Sequence, residues 1–261
     1  MAKSFYTSLV FLLNLTMVCG QQRLTDTSKL AKYSYLIYGC SSSGNSVQAT
    51  GFFVKKKNHT FLVTASHVVN GWLFESFDAK GSYPDTLFIK IGLKNSHLDT
   101  ALAIDISDLK HIKADPYSHD IYFIPVNIPA SCQVYRLDSL ILNYKPISHI
   151  PHTILTYGFA VDDQSLSLRQ FEGQASKKAI VHLPDWNAYS CSPLVYEITY
   201  SGDDLGAGDS GSPAYFITEG VGSNRESVTI QFGGLLFGGN PAKNRASVIR
   251  PELVKALYDK L

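Results

Sequence analysis

Short runs rich in Val, Ile, Leu, Phe and Tyr recur along most of the chain, separated by clusters of Gly, Pro, Asn, Asp and Ser. β-branched and aromatic residues suit the pleated surface of a sheet, and the intervening residues suit turns, so the pattern predicts many antiparallel strands. The runs fall at 34–38, 49–54, 60–64, 87–92, 101–106, 121–126, 153–159, 178–182, 194–199, 213–217 and 228–237. Strands this numerous, with so little helix between them, can bury their apolar faces as one sandwich or as two barrels. A chain of 261 residues with 45% apolar content can fill either core without metal or disulfide staples.

A turn-rich stretch with no periodicity, 127–151, divides the strands into two comparable halves and reads as the connection between two barrels. The boundaries that follow are an N-terminal barrel over 33–128, a linker over 129–150 and a C-terminal barrel over 151–261. Only the end of the chain has helical spacing. Pro251 suits a first helical position, and Leu253, Val254, Leu257 and Leu261 fall on one face. No internal repeat is present, which argues against solenoids and propellers.

The beginning of the chain reads differently. Lys3 precedes a mostly apolar run, 5–18, that is short for a membrane span and resembles the core of a secretory leader. Residues 1–20 are therefore expected to be a signal peptide cleaved before Gln21, leaving 21–32 as a polar, newly exposed segment. The expected location is extracytoplasmic, either secreted or periplasmic, with no stable membrane insertion after cleavage. Cys19 raises a lipoprotein alternative, although Thr16, Met17 and Val18 fit a lipidation motif poorly. Cys40, Cys132 and Cys191 remain past the leader, enough for one intrachain bridge at most and without zinc-ligand spacing. His149 and His152 are three apart, but Pro146 and Pro151 argue against a helix presenting both to a metal. Asn58-His59-Thr60 is a glycosylation sequon, conditional on a host that glycosylates. Twenty-three basic residues against 22 acidic ones provide no positive field for nucleic acid.

The chemistry centres on the hexapeptide GDSGSP, residues 208–213. A serine flanked by glycines can occupy a tight turn in which its own amide and that of Gly208 point at one spot. Such paired donors stabilise the oxyanion formed when a carbonyl is attacked, which makes Gly208 and Ser210 the candidate oxyanion hole. A serine hydroxyl is a weak nucleophile at neutral pH, so Ser210 needs a histidine to take its proton and an acid to orient that histidine. His67 has the right setting: in FLVTASHVV an apolar strand runs into a short turn that presents the imidazole and is followed by two more apolar residues.

LVTASHVV followed by GDSGSP resembles the chymotrypsin-like (trypsin-like) serine peptidase family, as do GFFV at 51–54, GGLLFGG at 233–239 and the terminal helix. That resemblance implies an all-β fold of two six-stranded antiparallel barrels with a C-terminal helix and a catalytic cleft between the barrels. It also implies a triad of His67, Asp120 and Ser210 acting on polypeptide substrates through an acyl-enzyme, with no cofactor. Asp99 competes for the place of the acid because it too opens an apolar strand; the segments before and after Asp120 match the family's pattern better. Asp204, six residues before Ser210, stands where trypsin-like members select Lys or Arg, but Gly206 replaces the cysteine usual two residues later. Phe237 and Gly239 lie on the segment expected to pair with the substrate backbone. No IVGG-like segment follows the leader, so Asp209 is expected to find a partner other than a newly cut N-terminus. The same scaffold accommodates two alternatives, an inactive binding module and an esterase.

Overall fold

A computed structural model describes residues 23–24, 27–40, 46–70, 84–109, 120–146, 153–161, 166–175, 195–201, 205–206, 208–219, 228–240 and 244–261. In chain order these form strand β1 (Arg23–Leu24), a 3-10 helix (Thr27–Tyr33), β2 (Tyr35–Cys40), β3 (Ser46–Lys56), β4 (His59–Thr64) and one helical turn, α1 (His67–Asn70). Next come β5 (Thr86–Leu93), β6 (Asp99–Asp105), β7 (Tyr122–Val126), β8 (Cys132–Gln133) and the short helix α2 (Asp138–Leu142). The second half contains β9 (Thr153–Val161), β10 (Leu166–Ala175), β11 (Val195–Ser201), β12 (Pro213–Glu219), β13 (Val228–Asn240), β14 (Arg245–Ile249) and the terminal helix α3 (Pro251–Lys260).

Two antiparallel sheets account for all the strands among the described residues. The first runs β6-β5-β2-β3-β4-β7, with β8 added to β5, and no pairing joins β6 to β7 among the described residues. The second runs β13-β12-β9-β10-β11-β14 and closes on itself because β14 also pairs with β13; β1 adds to β13 outside this ring. Closure requires a strand that bends. β13 supplies the bend at a register shift between Leu236 and Gly238, the kind of irregularity that lets one strand serve two neighbours.

Local sequence explains most of this pairing. Leu87, Ile89 and Ile91 alternate inward along β5, as a strand with one buried face requires. β3 and β4 form a hairpin in which Lys56 faces His59, leaving the two-residue turn Lys57-Asn58 with Lys57 at positive φ. Phe52, Phe53 and Val54 of the GFFV segment are all fully buried. The Phe52 ring meets Phe232 of β13 edge-on at 5.9 Å, so this core crosses from one sheet to the other. A second core, which includes Ile154, Ile198, Phe216, Leu236 and Val248, fills the closed barrel.

Several segments hold structure that their sequence does not announce. The polar N-terminal segment packs on the fold: Leu30 in the 3-10 helix is fully buried, and β1 pairs Arg23 with Thr229. Leu24, Leu30 and Ala31 are too few apolar positions in a polar stretch to produce a period. The linker is likewise built in, since Leu137 donates its N–H to Phe53 O at 2.9 Å and buries Leu140 and Ile141 through α2. β10 escapes prediction because LSLRQFEGQA is largely polar, yet it pairs with β9 from Leu166↔Val161 to Gln174↔Thr153. The expected strand at 178–182 lies outside the described residues, as do the leader, Cys191, His149 and His152. Cys40 is exposed and Cys132 buried, and no disulfide joins them.

The terminal helix forms where its spacing predicts, with Pro251 in its first turn. Its buried face is Pro251, Val254 and Tyr258, with Leu253, Leu257 and Leu261 half-buried against the same core. Tyr258 reaches across to donate its hydroxyl to Lys55 O at 2.7 Å, fastening the last element to β3. No helix among the described residues is long and apolar enough to cross a membrane.

Candidate active site

β4 and β7 pair antiparallel with Thr64 opposite Tyr122, so the chain leaving β4 and the chain entering β7 emerge side by side. That register brings Asp120 beneath the Ala65-Ser66-His67 turn. Asp120 Oδ1 accepts the Ser66 hydroxyl at 2.6 Å and the His67 backbone N–H at 2.8 Å, while Oδ2 lies 2.6 Å from His67 Nδ1. Val68 and Val69, both buried, anchor the helical turn that starts at His67.

Opposing effects act on the Asp120 carboxyl. Burial drives it up, but attraction to His67 and hydrogen bonds from the His67 ring, Ser66 and the His67 amide outweigh burial and hold it below the ordinary carboxylate value. An ionised carboxylate only accepts, so Nδ1 carries the proton that faces Asp120. In the neutral ring Nε2 is then the basic nitrogen. Asp99 has no part in this arrangement: it opens β6 and pairs with Lys90 at 3.0 Å, both side chains about half exposed.

The GDSGSP turn is held from several sides. Asp209 O accepts both the N–H of Ser212 at 3.1 Å and its hydroxyl at 2.6 Å. The N–H and C=O of a trans peptide point in opposite directions, so these bonds aim the Ser210 amide away from Ser212. The amides of Asp209, Gly211 and Ser212 bond to Gly206, Leu236 and Asp209 carbonyls, whereas those of Gly208 and Ser210 make no such bond among the described residues. Gly208 has φ +104°, a conformation that favours glycine. Gly211 is more constrained still: φ is +91°, and a Cβ there would lie 2.0 Å from Thr50 O.

Strand β13 passes beside this turn. Phe237 O accepts the Ser210 hydroxyl at 3.4 Å, Leu236 O accepts the Gly211 amide at 2.7 Å, and Leu236 donates its own N–H to Ser212 O at 2.9 Å. Phe237 is buried and Gly239 exposed farther along the strand. Asp209 is 2% exposed and accepts the Gly206 N–H through Oδ2 at 2.9 Å, a partner supplied by its own loop. Asp204, the candidate specificity residue, lies outside the described residues.

The sequence reading overlooked Ser66 and Thr50. Ser66 stands inside the ASH turn, where a hydroxyl next to a histidine is a visible signal. Thr50 is fully buried immediately before GFFV, and only its place beside a glycine on a core strand marked it.

Solved structures that share this arrangement of elements include a collagenase and two proteases. The HL collagenase aligns at a TM-score of 0.52 with 13% identity, covering 92% of this chain and 96% of that one. A thermostable serine protease, AL20, from an extremophilic microorganism aligns at 0.51 with 13% identity, covering 88% and 97%. The inactive form of the Rv3671c protease aligns at 0.50 with 15% identity, covering 89% and 90%. The fold is chymotrypsin-like. No family model matches the sequence, and no curated protein matches it. Likeness at these identities establishes the chymotrypsin-like architecture.

Proposed function

We propose that this chymotrypsin-like chain is a serine endopeptidase acting on extracytoplasmic polypeptides. Its nucleophile is Ser210, its base His67 and its orienting acid Asp120. The observation that carries the reading is the 2.6 Å contact between Asp120 and His67 Nδ1, which leaves Nε2 as the basic nitrogen of the neutral ring.

The reaction divides into two steps. In the first, Ser210 Oγ bonds to the scissile carbonyl carbon while His67 Nε2 takes the hydroxyl proton. The oxyanion sits against the Gly208 and Ser210 amides. Collapse breaks the C–N bond as His67 returns the proton to the leaving amine. In the second, water attacks the Ser210 ester with His67 again as base, releasing the acid and restoring the hydroxyl. The substrate backbone lies along β13 from Phe237 to Gly239, and Asp204 favours Lys or Arg side chains by charge pairing. Export rests on the leader-like residues 1–20.

Incubating the purified chain with reduced, carboxymethylated casein tests the reading. New N-termini are expected from wild type and none from Ser210→Ala. Turnover of simple esters with intact casein would assign an esterase instead, and casein binding with neither activity a binding module.

A further inference from the structure

Thr50 joins the first sheet, the closed barrel and the serine turn through a single residue. It sits on β3, fully buried. Its N–H donates to Ser210 O at 2.9 Å, and its hydroxyl donates to Gly208 O at 2.8 Å. The same hydroxyl accepts the N–H of Phe159 from β9 at 2.8 Å, and Thr50 O accepts the Thr64 hydroxyl at 2.8 Å. Accepting from Phe159 fixes the direction in which the hydroxyl proton must point, toward Gly208.

The two carbonyls Thr50 holds belong to the peptide planes on either side of the 209–210 unit, whose N–H is the Ser210 amide. With both flanking planes fixed, that amide has little freedom to turn. Ser212 fixes the unit itself through Asp209 O. A threonine at this position thus supplies what a β-strand alone does not: a donor aimed at the turn and an acceptor for the second barrel.

We propose that Thr50 is a positioning residue, whose hydroxyl, by holding the Gly208 carbonyl, sets the orientation of the Ser210 amide in the oxyanion turn. The proposal deepens the serine-hydrolase reading and rests on it. Thr50 touches no reacting atom, so its loss should slow acylation while leaving substrate affinity in place.

Wild type, Thr50→Val, Thr50→Ser and Val254→Ala are each reacted with p-nitrophenyl acetate, and the acylation rate constant and the Kd of the initial complex, both from the burst phase, are recorded with the thermal midpoint. Thr50→Val keeps the shape and removes the hydroxyl; the acylation rate constant should fall about 10- to 100-fold, less than or comparable to losing an oxyanion donor outright, with Kd little changed. Thr50→Ser keeps the hydroxyl and should acylate within about threefold of wild type. Val254→Ala truncates a buried side chain on α3 and reports what destabilisation alone does to the rate. The proposal is overturned if Thr50→Val acylates at the wild-type rate, if Thr50→Ser is as slow as Thr50→Val, or if Val254→Ala at an equal midpoint is equally slow. Should Thr50→Val not fold, Thr50→Ser decides: near-wild-type acylation supports the role of the hydroxyl, and a loss beyond about tenfold overturns it. A wild-type protein that is never acylated overturns the hydrolase reading itself, which separates that failure from a failure of Thr50.

Discussion

Thr64 and Tyr122 face each other across β4 and β7, and this one register places the Ser66-His67 turn directly over Asp120. A slip of one residue would turn the side chains of β7 to the opposite face and carry Asp120 away from the turn. The geometry at His67 is therefore a property of strand pairing as much as of the three side chains involved.

Replacing the acid separates the two candidate aspartates. Asp120→Asn should lower kcat by about 10⁴-fold, because an amide can stabilise the wrong imidazole tautomer and cannot balance the imidazolium charge. Asp99→Asn should leave kcat unchanged, since its only described ionic partner is the exposed Lys90. Steady-state hydrolysis of a peptide substrate by the two variants checks both expectations.

Acid stability should depend on the same carboxyl. Asp120 is held below its ordinary value in the folded chain, so the unfolded chain binds its proton at higher pH than the folded chain does. Its contribution is present above the ordinary carboxylate value and is lost as pH falls through the lowered native value. Denaturant midpoints measured from pH 5 downward should fall less steeply in Asp120→Asn than in wild type.

Alkaline stability should depend on Tyr35. Burial, which outweighs the N–H donated by Tyr135, pushes its hydroxyl from 10.0 up to about 12. The unfolded tyrosine ionises first, so stability is lost as pH rises from the ordinary value through the native one. Tyr35→Phe removes that ionisation and should flatten the alkaline limb of the stability profile. It also removes the acceptor of the 2.6 Å bond from Tyr135 N–H, so stability near neutral pH should drop by about 1–3 kcal/mol.

The N-terminal segment should prove structural. Leu30 is fully buried in the core that joins the two halves, and Tyr157 donates its hydroxyl to Thr27 O at 2.9 Å. Leu30→Ala should destabilise the chain by about 2–5 kcal/mol, read as a shift in urea midpoint. A midpoint unchanged from wild type would mean that the segment contributes no packing.

Dense apolar runs mark several of the described strands. β3, β4 and β5 carry runs that no other element could bury, and their observed bounds extend only a few residues beyond the runs. β10 was illegible because its hydrogen bonds to β9 are made by backbone, which leaves no apolar signature in LSLRQFEGQA. Leu30 and α2 were illegible for a related reason: helices of seven and five residues bury too few side chains to establish a period. At the candidate site, GDSGSP and ASH are contiguous and can be read directly. The pairing of Asp120 with His67 depends on the register between β4 and β7, and the bonds of Thr50 depend on both sheets, so neither belongs to any single segment of sequence.

Mass spectrometry after reaction with a fluorophosphonate tests the central claim most directly. The folded wild-type chain should gain one phosphonyl adduct, located on Ser210, and His67→Ala should react far more slowly at the same concentration of probe. A folded chain that gains no adduct, or gains it on another residue, would contradict the assignment of Ser210 as an activated nucleophile.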